Sequence, residues 1–140
     1  MQTQLCFRHN SFLKEGENLA SAQWQTGDMT ALITEFFEQD DLQQLALDIG
    51  LYLDCPLLVL DDAFRVVAHF CPVGFSDPLF RSAVSQGAIT YEASAVISKS
   101  QALREGSADM IKLEESSFRR RFAPLICTGV RLGYLICVDT

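Results

Sequence analysis

Cys55-Pro56-Leu57-Leu58-Val59-Leu60-Asp61-Asp62-Ala63-Phe64-Arg65-Val66-Val67-Ala68-His69-Phe70 is the stretch whose reading decides the fold. Leu57 to Leu60 is an unbroken apolar run, as a strand covered on both faces requires. Val66 to Phe70 is rich in β-branched and aromatic residues, which suit a pleated surface. Asp61-Asp62-Ala63 between them supplies turn chemistry, so the segment reads as a hairpin. Strict alternation in the second strand puts Phe64, Val66, Ala68 and Phe70 on one face and Arg65, Val67 and His69 on the other.

Upstream, the pattern changes from period 2 to period 3.6. Asp28 is a good N-cap, and Met29, Leu32, Ile33, Phe36 and Phe37 follow it on one helical stripe. Asp40 starts a second helix, with Gln43 at the capping-box position. Leu42, Leu45, Ala46, Ile49, Tyr52 and Leu53 form its stripe, and Gly50 inside it costs about 1 kcal/mol relative to Ala. Asp54 can take the left-handed conformation that ends the helix, and Pro56 blocks its continuation. Residues 1–27 show no lasting period and read as an N-terminal extension of unknown structure. Within it Leu5-Cys6-Phe7 could be a short strand, and Trp24 is expected to pack on the body.

Downstream, Cys71-Pro72-Val73-Gly74-Phe75-Ser76 is a loop. Asp77-Pro78 is a strong helix start, with Leu79, Phe80, Ala83 and Val84 facing inward and Gly87 closing the helix. Thr90 caps a helix from Tyr91 to about Leu103, with Ala95, Val96 and Leu103 expected inside. Met110 to Leu113 is a short strand. The apolar runs on either side of Thr128-Gly129 make a second hairpin. Pro124 in it needs a bulge or an unpaired amide, and Gly133 allows a bend or a close backbone approach. Hairpin-linked strands imply an antiparallel sheet, and the class is α+β. Residues 28–140 form one domain.

The 140-residue chain is 49% hydrophobic, enough for a real core. Its 11 basic and 18 acidic residues give a net charge of −7, which disfavours contact with nucleic acid or an anionic membrane. There is no transmembrane-length apolar run and no signal-peptide pattern, so the expectation is a soluble cytoplasmic protein. The terminal Leu135-Ile136-Cys137-Val138-Asp139-Thr140 stops as a strand stops, which reads as a segment of a longer protein. Five cysteines, Cys6, Cys55, Cys71, Cys127 and Cys137, show no metal-ligand spacing and no disulfide framework. Reduced thiols and no metal are expected.

Signatures of hydrolases, nucleotide-binding loops and zinc proteases are missing, so the chain is read as non-enzymatic, with no cofactor. Candidate ligand-binding residues cluster where the second strand runs into loop and helices. They are His69 at the strand end, Cys71 and Phe75 in the loop, and Phe80 and Tyr91 on the helices that follow. Arg119 and Arg121 face the same way on their strand and could grip a carboxylate or phosphate. The competing reading of that basic run is a solvated strand end that offsets the acidic surface.

The order of these motifs resembles the GAF/PAS-like sensor domain of bacterial purine-catabolism (PucR-type) regulators. The matching pieces are Leu53-Asp54-Cys55-Pro56-Leu57-Leu58-Val59-Leu60-Asp61, Phe64-Arg65-Val66-Val67-Ala68, Asp77-Pro78 with its helix to Gly87, Arg119-Arg120-Arg121-Phe122-Ala123-Pro124-Leu125, and Gly133-Tyr134-Leu135. Asp54 stands where such domains usually carry Gly. The resemblance spans Leu42 to Val138. It implies about five antiparallel strands with helices packed around them. It also implies a ligand-sensing regulatory domain of a transcriptional regulator, whose DNA-binding helix-turn-helix is absent from this chain. An unidentified small molecule and a second copy, joined through the helices at 28–53, are the expected partners. The alternatives are a dimerisation or signal-relay module with a filled core, and a small redox switch built on Cys71.

Overall fold

Leu57–Asp61 and Val66–Phe70 form the expected hairpin, β1 and β2, and the rest of the sheet is built outward from β1. The computed structural model describes residues 26–37 and 39–140, with side chains from Met29 onward. The expectations for Leu5-Cys6-Phe7 and Trp24 lie outside the described residues. Helices α1 (Thr26–Glu35) and α2 (Leu42–Leu53) precede β1. After β2 come α3 (Pro78–Gln86), α4 (Tyr91–Lys99), α5 (Gln101–Arg104), β3 (Asp109–Lys112), β4 (Arg119–Cys127) and β5 (Val130–Asp139). The five strands lie in the order β2-β1-β5-β4-β3, and every neighbouring pair is antiparallel. The fold is α+β.

Helices cover both faces of the sheet. On one face α1 and α2 press Met29, Leu32, Ile33, Leu45, Ala46 and Ile49 against Leu57, Val59, Ala123, Leu125 and Leu135. On the other, Leu79, Phe80, Ala83, Ala93, Ile97 and Leu103 of α3–α5 meet Leu58, Leu60, Phe122, Tyr134 and Ile136. This two-sided burial is why Leu57 to Leu60 is apolar at every position. It also consumes the stripes of α1 and α2 within the chain apart from Tyr52, so that Leu51 and Tyr52 are the exposed large apolar residues of α2.

Several local expectations need correction. Helix α1 spans Thr26–Glu35, so Asp28 falls inside it and not ahead of it. Asp41, not Asp40, precedes α2, and its side chain makes no capping hydrogen bond. Gln43 is not part of a capping box. Its amide reaches β2 instead, with Nε2 donating to His69 O at 2.8 Å and Oε1 accepting from His69 N–H at 3.0 Å. The helix expected over 91–103 breaks at Ser100, whose Oγ accepts from Leu103 N–H and donates to Asp109. Ala93 and Ile97, not Ala95 and Val96, carry the buried face of α4.

The face assignment in β2 also changes, and this matters for the site. The β1–β2 register slips between Val59↔Ala68 and Leu60↔Val66, leaving Val67 as a bulge. One extra residue reverses the alternation. Phe64 and Val66 therefore pack on the α3–α5 side, whereas Ala68 and Phe70 pack on the α1–α2 side. His69, opposite Leu58, then falls on the α3 side.

Other turn chemistry follows expectation. Asp54 ends α2 at φ 53°, and Thr128-Gly129 turns with φ of 51° and 81°, as a type I′ hairpin needs. Asp61 Oδ1 accepts from the N–H groups of Ala63 and Arg65, which closes the β1–β2 turn.

Glu35, at the end of α1, is 1% exposed and neither carboxylate oxygen has a hydrogen-bond partner. Burial raises its pKa from 4.5 to about 7. Across that window the folded chain keeps a proton that the unfolded chain has lost. Stability therefore falls as pH rises from 4.5 to about 7 and levels off above. Glu35→Gln should remove this slope. It should stabilise the chain near pH 8 by up to roughly 3.5 kcal/mol, at about 1.4 kcal/mol per pH unit of the window. Urea titrations of both proteins at several pH values check it; parallel stability profiles would contradict it.

Candidate functional site

The bulge at Val67 and the hydrogen bonds of Gln43 together fix where His69 points. β2 is one of the two edge strands, and Gln43 occupies its free backbone groups at His69. Near the other end of the strand, Val66 N–H donates to Gly87 O at 2.9 Å and Ile89 N–H donates to Phe64 O at 3.2 Å. The edge is thus held at both ends, which also guards it against pairing with another chain.

Beyond β2 the chain turns through 71–76 into α3, and a cleft of about 290 Å³ opens between strand end, loop and helix. His69, Cys71, Phe75 and Phe80 line it, and these are four of the seven residues expected from the sequence. Arg81, Val84 and Ser85 of α3 complete its wall. Phe75 is anchored edge-on to Phe80, with ring centres 5.6 Å apart, and leans on Phe118 at 5.3 Å. It serves as both wall and loop anchor. Arg81 Nη1 donates to Ser76 Oγ at 3.3 Å, which holds the guanidinium over the loop. Burial pushes the Cys71 thiol up, so it is protonated at neutral pH and is a poor nucleophile.

The floor of the cleft rests on a buried polar cluster. Asp77 caps α3 by accepting from Phe80 N–H at 2.9 Å, as its place before Pro78 predicts. Its other oxygen accepts from Ser116 at 2.7 Å, and Arg120 Nη2 donates to the carboxylate. Arg120 also donates to Ser116 Oγ at 2.8 Å and to Phe118 O at 3.1 Å. Arg120 is only 2% exposed. Burial raises the Asp77 carboxyl, but the bonds from Ser116, Phe80 and Arg120, with the Arg120 charge, leave it below the usual carboxylate range. The expectation of a solvated strand end fails at this middle arginine.

The other three candidates are not at the cleft. Tyr91 is 83% exposed at the start of α4. Arg119 and Arg121 do share a face, but that face looks the other way. They line a separate cleft of about 900 Å³ on the α1–α2 side, with Cys55, Met110, Cys137 and Asp139. Arg119 Nη2 donates to Asp139 Oδ2 at 3.0 Å.

A second space lies between the sheet and the segment 88–104. It is a void of about 20 Å³ lined by Leu58, Phe80, Ile89, Ala93 and Phe122. That is room for about one water. Sequence reasoning missed Arg81 and Ser85; their spacing of four after Asp77-Pro78 put them on one helix face and could have signalled them.

Among the described residues Cys55, Cys71 and Cys137 are free thiols. Cys127 is not free, contrary to the reduced state expected of all five. No described helix is long and apolar enough to cross a membrane, and no group of described His, Cys, Asp or Glu residues is arranged to hold a metal ion. Compared with models of known protein families and with curated proteins, the sequence matches none of them.

Proposed function

We propose that this chain is a non-catalytic, ligand-sensing regulatory domain of a cytoplasmic bacterial transcriptional regulator. The observation that carries this reading is the convergence of His69, Cys71, Phe75 and Phe80, from strand, loop and helix, on one cleft. An apolar wall with a few polar groups at its rim suits a small molecule with a flat apolar body and an anionic or hydrogen-bonding end. Arg81, His69 and Ser85 would supply the polar contacts. The five antiparallel strands with helices on both faces agree with the GAF/PAS-like architecture that the motif order suggests. DNA binding would belong to a separate module, in keeping with the net charge of −7.

A thermal-shift screen of purines, nucleotides, amino acids and small carboxylates tests the reading. A true ligand raises Tm with the logarithm of its concentration. Ser85→Trp, which fills the cleft, should abolish the shift while the variant melts cooperatively. A shift of equal size in Ser85→Trp would move the site elsewhere.

The void of about 20 Å³ beneath α3 and α4 favours a second reading, a dimerisation or signal-relay module with a filled core. Homodimerisation would then use the outward residues Leu51 and Tyr52, because the rest of the stripes of α1 and α2 packs on the chain's own sheet. Sedimentation of Leu51→Glu against the parent separates the two. Loss of a dimer in the variant supports the relay module.

A further inference from the structure

We propose that Cys55 and Cys137 form a peroxide-oxidisable dithiol that closes to a disulfide, tying the entry of β1 to the end of β5. Antiparallel pairing sets Leu57 opposite Cys137, and Val138 N–H donates to Pro56 O at 3.0 Å. Cys55 lies in the bend two residues before Leu57, and its thiol is within hydrogen-bonding reach of the Cys137 thiol, closer than the roughly 7–8 Å of a regular diagonal pair. Both thiols are half-buried, both are free, and both line the cleft that also holds Arg119 and Arg121. No other described pair of free cysteines shares a cleft.

The two sulfurs are not equivalent. A hydrogen bond from the Cys137 thiol is the main influence that pulls the Cys55 thiol down, opposed by burial and by the charges of Asp139 and Asp54. The same contact, then burial, pushes Cys137 well up, with Arg121 acting weakly against it. Cys55 is therefore the sulfur that attacks and Cys137 the one that resolves.

The Cys55 thiolate attacks the terminal oxygen of a hydroperoxide, the O–O bond breaks, and an alcohol or water leaves with a proton from solvent. This makes a sulfenic acid at Cys55. The Cys137 sulfur then attacks Cys55, the S–O bond breaks, and water leaves with the Cys137 proton. Two thiols and one hydroperoxide give one disulfide, one alcohol (or water) and one water. The sulfurs lose the two electrons that the O–O bond gains. No other described cysteine lines the cleft of Cys71, and its protonated thiol should react more slowly.

The test treats the reduced full chain with stoichiometric hydrogen peroxide and maps the peptides without reductant. The expected product loses two hydrogens, joins the Cys55 and Cys137 peptides, and reverts with dithiothreitol. Cys137→Ser should trap the sulfenic acid at Cys55 as a dimedone adduct, and Cys71→Ser should leave the crosslink unchanged. Oxidation appearing first at Cys71 would overturn the proposal, as would Cys55 and Cys137 both remaining alkylatable after peroxide. If Cys137→Ser does not fold, the peptide map of the parent chain decides the matter alone.

Discussion

Gly133→Ala is expected to destabilise the domain by more than about 3 kcal/mol, enough to leave most of it insoluble or unfolded at 37 °C. Gly133 sits in β5 opposite Asp61 of β1, where the two central strands come together. An added Cβ would stand 1.9 Å from Leu60 O and 2.9 Å from Asp61 Cα. Both are backbone atoms of a strand buried on both faces, so nothing nearby can rotate away. The sheet must split or shift register, and either move disrupts both cores. Gly50→Ala is the instructive comparison. Its Cβ would meet the Phe70 ring at 2.2 Å. Phe70 Cβ would also lie at 2.8 Å and moves only with β2. But β2 is at the sheet edge and can shift more easily than β1 or β5, so the expected cost is smaller, about 1 to 3 kcal/mol. Urea denaturation of both variants gives the ranking. Equal stabilities for Gly133→Ala and the parent would mean that β1 and β5 are not packed as described.

Removing either partner of the Asp77–Arg120 pair is the second large effect. Each side chain is nearly inaccessible, at 1% and 3% exposure, and each would leave the other as an unpaired buried charge. Asp77→Ala and Arg120→Ala should each cost about 3 to 5 kcal/mol. Asp77→Ala also removes the cap of α3, worth roughly 1 kcal/mol. The double replacement Asp77→Leu with Arg120→Met should cost much less than the two single losses added together, because no charge is left stranded. Strict additivity in that cycle would show that the pair is not coupled. The pH dependence has a definite sign. The Asp77 carboxyl lies below its ordinary range in the folded chain. Its contribution is present above that range and is lost as pH falls through the folded pKa. Glu35 acts in the opposite direction from pH 4.5 upward, so these two groups together place the stability maximum between the ordinary Asp77 value of 3.8 and 4.5, well on the acid side.

Much of the fold was legible because its local signals agreed with its tertiary needs. Leu57 to Leu60 reads as a doubly buried strand and is one. Asp77-Pro78 and Gly87 bracket α3, and Gly133 marks a close approach, because those positions permit few alternatives. The misreadings have a common physical origin. Val67 looks like one more alternating residue, and only its pairing with β1 makes it a bulge that sends His69 to the α3 side. Gln43 fits a capping box by spacing, but a strand edge nearby offers its amide two partners. Arg120 sits within a basic run that reads as solvated. Its burial depends on Asp77, which lies 43 residues away and comes beside it only in the folded sheet. Likewise, the spacing of Cys55 and Cys137 in sequence says nothing of their approach, which follows from the pairing of Leu57 with Cys137. The candidate site was half visible. Its strand and loop residues were found, whereas Arg119 and Arg121 proved to lie on the far side of the sheet.

Native mass spectrometry of the purified chain against the screened compounds tests the central claim most directly. The account predicts one small molecule bound per chain, either retained through purification or added from the screen, and lost on Ser85→Trp. A bare mass across every compound class, in a folded protein that still assembles as a dimer, would contradict it and leave the relay module as the better description.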